Sequence, residues 1–238
     1  MRLLAAKDML WIVTASVLMG AGLAALQPGS LSMGWVAFAL LLVLGLTALL
    51  VSVRWAGVGP TLAIMTGLAF GLRVLVGTSL YVALPLDGYD DPDDKAGHVF
   101  TDAHRRDDHA WQLATSNAPI WAAFDRSYYT DQYGGLLAAS ALTYRLLSPD
   151  SHRPLLILTL AALFSALGLP FFHKAAQQLW DAKLAAFSSW IYCLYPESVL
   201  TGGAQMREPF LLTFFAVTLW GFAEMVEQRG RAVYIREG

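Results

Sequence analysis

Six apolar runs, each of the ~20-residue length with which a helix crosses a ~30 Å hydrocarbon layer, occupy residues 9–26, 34–53, 60–85, 154–173, 183–203 and 208–226. In lipid only helices and closed barrels satisfy their own backbone hydrogen bonds, and these runs lack the alternation of a barrel strand. The expected fold class is all-α: a polytopic membrane protein of six transmembrane helices with a large outer loop between the third and fourth, carrying interfacial helices. Composition agrees, at 56% hydrophobic and 14% charged residues where soluble domains carry ~25% charged. A formal charge of −2 offers no basic excess for phosphate backbones, which excludes nucleic-acid binding. The single cysteine, Cys193, excludes a disulfide framework and a multi-cysteine zinc site.

Polar chemistry is gathered in one place. Residues 86–153 hold eleven of the eighteen acids, six of the sixteen Lys and Arg, and four of the five histidines. Lys and Arg in short connections favour the cytoplasm. Placing Arg2, Lys7, Arg54, Lys174, Lys183, Arg229, Arg231 and Arg236 inside puts the N-terminus inside and the acidic loop outside the cytoplasmic membrane. The first run exceeds the ~7–15 apolar residues of a signal peptide and reads as a retained span. Residues 133–147 could be taken for a seventh span, but that would invert the downstream charges against the rule. Their stripe of Tyr133, Leu136, Leu137, Ser140, Ala141, Tyr144 and Leu147, with Arg145 off it, suits an amphipathic helix on the outer surface.

Within the loop, Asp90–Asp94 reads as a solvated linker without the spacing of a calcium loop. Residues 100–114 are helix-compatible, with Thr101 or Asp102 as cap. On that helix Asp102–Arg106 and Arg105–His109 stand at i,i+4, where surface contacts are worth tenths of a kcal/mol. His104 and Asp108 share the same spacing, yet two ligands from one helix do not close a metal site. No metal ligand set is therefore assigned.

At these residues the chain resembles a C-type (GT-C) membrane glycosyltransferase, similar to bacterial family 39, the protein O-mannosyltransferases and the lipid A aminoarabinose transferases. The resemblance covers residues 60–228. It rests on Asp102-Ala103-His104-Arg105-Arg106-Asp107-Asp108-His109-Ala110-Trp111-Gln112-Leu113-Ala114, on the Tyr-rich Tyr128–Leu137, on Tyr195-Pro196-Glu197 and on Arg207-Glu208-Pro209. Arg106 stands where that family's motif carries an aromatic. Apolar length and charge give two N-terminal helices over 1–59 and a cytoplasmic tail over 229–238; the resemblance implies a catalytic module over 60–228 and further spans in a longer architecture of which this chain is the N-terminal part.

It also implies a function: inverting transfer of a sugar from a polyprenyl-phosphate donor to a lipid, glycan or protein acceptor at the outer membrane face. Such chemistry needs a carboxylate to take the acceptor's proton and cations to hold the leaving phosphate. Asp102 is the expected base, with Asp107 and Asp108 as alternates. Arg207 suits the phosphate through its forked donors, with the Gly202-Gly203 amides beside it, and Glu208 serves either the substrate or an ordinary helix start. Arg73, in the middle of the third run, reads as a structural ion or as part of a lipid-phosphate groove. Tyr128, Tyr129, Tyr133, Trp111 and Trp121 suit an interfacial belt or sugar platforms. No cofactor is assigned, and a divalent cation stays open. The alternatives are a non-catalytic lipid-binding or scaffold subunit and a small transporter, the latter disfavoured by the scarcity of intramembrane polar groups and of broken helices.

Overall fold

The computed structural model describes residues 5–57, 59–89, 91–125 and 134–237, with side chains of the last helix described as far as Gln228. Among the described residues every regular element is helical. The elements are α1 (Ala6–Ala25), α2 (Leu31–Ala56), α3 (Pro60–Asp87), α4 (Pro92–Lys95), α5 (Thr101–Thr115), a 3₁₀ turn (Ile120–Phe124), α6 (Gly135–Leu147), α7 (Pro154–Leu179), α8 (Ala182–Leu194), α9 (Pro196–Gly202) and α10 (Glu208–Glu237). Five of them, α1, α2, α3, α7 and α10, are long and apolar enough to cross a membrane. Their central member is α7, which packs against α2, α3, α8 and α10. It is apolar on all sides, as a helix enclosed by protein must be.

The run 183–203 departs from expectation: it is two helices, not one. Pro196 has no N–H and restricts Tyr195 before it, so α8 ends at Leu194 and α9 restarts at Pro196. The last carbonyls of α8 are met by a side chain from α3, since Arg73 Nη2 donates to Tyr192 O at 3.3 Å and Nη1 to Cys193 O at 3.2 Å. Beyond the break the backbones of α3 and α9 nearly touch. A Cβ on Gly77 would lie 2.2 Å from Gly203 O, so only glycine fits there.

The bundle has two polar ends. At one, Arg54 pairs with Asp8 at 2.8 Å, Lys174 sits 4.8 Å over the Trp55 ring, and Gln178 bonds Glu224 and Glu227. At the other, buried Arg153 donates Nη2 to Ser30 O at 3.0 Å and both terminal nitrogens to Asp150 at 2.7 and 2.8 Å. That contact seats the α1–α2 turn against the start of α7. The residues following α3 build on this second end.

Here α5 and α6 pair through Ala110, Leu113, Leu137, Ala141 and Tyr144, with Ile157 of α7 in the same apolar cluster. Of the α6 stripe, Leu137, Ala141 and Tyr144 pack on α5, Ser140 bonds Gln205 and Leu147 packs on the main core, while Tyr133 lies outside the described residues. Arg145 fastens the pair, donating to the carbonyls of Leu113, Ala114, Ser116 and Ala118 at 2.6–3.3 Å, a cation on the negative end of α5. The acidic run is no loose linker either. Asp91 caps α4 by accepting Asp94 N at 2.8 Å, and Asp93 accepts from Thr101 at 2.5 Å and contacts His104 Nδ1 at 2.7 Å.

Candidate active-site end of the bundle

The three acids of the α5 motif stand in three different environments. Asp102, in the first turn, is exposed and accepts from Arg105 at 3.1 Å. The expected i,i+4 contact with Arg106 does not form, because Arg106 is buried and donates to Gln205 O at 2.7 Å. Neither Thr101 nor Asp102 caps the helix; Phe100 occupies that position without a side-chain bond. Asp108 is half-exposed, 3.6 Å from His104 Nε2.

Asp107 is fully buried. One carboxylate oxygen accepts from the Tyr144 hydroxyl; the other is 2.8 Å from His152 Nε2 and 3.6 Å from His98 Nε2. Burial pushes its pKa up, but the two imidazoles outweigh burial and hold it well below the usual carboxylate range. Tyr144 is driven the opposite way, upward, by its own burial and then by the Asp107 charge. Trp111 stacks on His152 at 5.1 Å, which takes one of its faces from any sugar. This buried group ties α5, α6 and the starts of α5 and α7 together. Among the described residues no three His, Cys, Asp or Glu side chains are placed to hold a metal ion.

Arg207 and Glu208 lie at the start of α10, both exposed. The expected phosphate amides at Gly202-Gly203 are spent otherwise: both glycines are buried against α3, and Gly203 N bonds Val199 O at 3.1 Å. Arg207 instead lines the mouth of a groove of about 460 Å³ between α6, α7 and α10, walled by Leu136, Leu160, Phe164, Phe210 and Phe214. Its backbone carbonyl accepts from Phe210 N and Leu211 N, but among the described residues its side chain has no hydrogen-bond or ion-pair partner. Glu208 faces a second groove of about 460 Å³ beside α9, with Tyr195, Glu197, Ser198 and Thr201. Consecutive residues thus serve adjacent flanks of one helix, with Leu211 in the wall of both grooves.

Arg73 is fully buried, and its five N–H donors are all used: Nε to Ser165 Oγ at 2.8 Å, Nη1 to Ala69 O and Cys193 O, and Nη2 to Tyr192 O and Ser198 Oγ. No donor is left for a ligand, so its observed work is structural. Tyr128, Tyr129 and Tyr133 fall outside the described residues, and Trp121 is exposed. Sequence reasoning missed His98, Tyr144, His152 and Gln205. The histidines were visible only as part of the loop's composition, and Gln205 carries no signal beyond its position two residues before Arg207. No protein-family model, no curated protein and no solved structure matches the chain.

Proposed function

We propose that this protein transfers a sugar from a polyprenyl-phosphate donor to a hydroxyl-bearing acceptor at the outer face of the cytoplasmic membrane, inverting the anomeric centre. The N-terminus is inside, and the end bearing α5, α6 and Arg207 faces out. The observation that carries this reading is the groove at Arg207: a wall of Leu and Phe side chains with one forked cation at its mouth whose side chain has no partner among the described residues. That is the complement of a branched hydrocarbon chain ending in phosphate. In the reaction the acceptor oxygen bonds the anomeric carbon, the bond to the phosphate oxygen breaks, and Arg207 meets the charge that develops there. The acceptor's proton goes to a carboxylate. Asp107 is sealed from any substrate, so the role falls to Asp102, with Asp108 as the second choice.

Native mass spectrometry of the purified protein tests the reading. Selective binding of polyprenyl phosphate over ordinary anionic lipids, weakened in Arg207→Ala, is expected; equal uptake of all anionic lipids by folded protein defeats it. A non-catalytic lipid-binding subunit shares the same groove and gains support from the pairing of Asp102 with Arg105. Turnover by the purified chain alone separates the two. The transporter reading gains a broken helix at α8–α9, but Arg73 and the contact of Gly202 and Gly203 with α3 fill that break.

A further inference from the structure

A cavity of about 20 Å³ lies where Gly77 and Tyr81 of α3, His98, Ala103 of α5, Leu158 of α7 and Gln205 meet. Gln205 is 3% exposed. Its backbone carbonyl accepts from Arg106 and its Nε2 donates to Ser140 Oγ at 3.0 Å, yet its Oε1 has no hydrogen-bond partner among the described residues. A buried amide oxygen without a donor is costly, and native interiors satisfy such atoms with protein or ordered water. The cavity exceeds the ~10–15 Å³ that one water needs. It is lined by His98 as well, whose Nε2 is 3.6 Å from Asp107.

We propose that this cavity is a binding site for a single structural water that donates to Gln205 Oε1 and bonds the His98 ring. One polar chain then runs from Asp107 through His98 and the water to Gln205. With the Arg106 and Ser140 contacts, the water is the third tie on a residue two positions before Arg207, and it fixes the segment from which Arg207 reaches its groove. Gln205 is thus a positioning residue. This second step rests on the reading of Arg207 as the lipid-phosphate ligand; the water site does not.

The first test is a high-resolution experimental density map of the wild-type protein. A discrete peak within hydrogen-bond distance of the Gln205 amide is expected, and a featureless cavity overturns the site. The second is a double-mutant cycle on long-chain polyprenyl phosphate binding in nanodiscs. Gln205→Met should lose the peak and bind about tenfold more weakly, the size of one lost buried hydrogen bond. In an Arg207→Ala background the same change should have no further effect, a coupling that general destabilisation would not produce. Wild-type affinity in Gln205→Met refutes the positioning role. A water peak in a protein that binds no polyprenyl phosphate defeats the Arg207 reading and leaves the water site standing.

Discussion

Replacing Arg73 by Lys tests whether the guanidinium is what closes the gap in the α8–α9 helix. Pro196 cannot supply the N–H that Tyr192 O would receive in a continuous helix. Arg73 supplies it, and reaches Cys193 O, Ser165 and Ser198 from the same planar fork. An ammonium has three donors on one atom and cannot serve acceptors spread around that fork. At least two of the five contacts are then lost while the buried charge remains. At ~1.5–3 kcal/mol for each hydrogen bond to a charged group, the variant should be about 3–6 kcal/mol less stable. Arg73→Met removes the charge along with the bonds and should be hurt less than Lys, because no desolvated ion is left behind. Equilibrium unfolding in mixed detergent micelles reads both values. A Lys variant within about 1 kcal/mol of wild type, or a Met variant clearly worse than Lys, refutes the argument.

Three further outcomes are expected. Asp107→Asn should lower stability at neutral pH by about 1.5–3 kcal/mol. Because the folded carboxyl titrates below its unfolded value of ~3.9, its contribution is complete above that pH and is lost as pH falls through the lower folded value; the gap between wild type and variant should therefore close on acidification below about pH 4, as denaturation midpoints will show. Gly77→Ala drives a methyl to 2.2 Å from Gly203 O and should cost at least ~1–3 kcal/mol, with raised amide exchange in α9. Asp102→Asn, on an exposed position, should abolish sugar transfer with stability within about 0.5 kcal/mol of wild type; unchanged turnover would move the base to Asp108.

Apolar length made the five long helices legible, and the α6 stripe was legible as a helix, though not as one that faces α5. The break in the fifth run was also written in the chain. Tyr195-Pro196 falls well inside the run, where a proline both deletes a donor and bends its predecessor. The α4 turn had its signal too, an Asp cap followed by Pro and two acids. What could not be read was which charges are buried. Asp107 and Asp108 are neighbours of one type, and only residues 98, 144 and 152 decide that the first is sealed and the second open. Arg73 was ambiguous for the same reason, because its partners lie 92 and 119–125 positions away.

The seat of the first hairpin has a consequence for biogenesis. Ser30 O receives its guanidinium donor from a residue 123 positions downstream, and Leu155 N likewise reaches back to Gln27 at 3.2 Å. A chain made from its N-terminus completes α1 and α2 long before Arg153 exists. Until α7 is made, that hairpin has only its lighter contact with α3 beyond itself. Its final azimuth is set late, by a lock that arrives from the far side of the long polar segment 86–153.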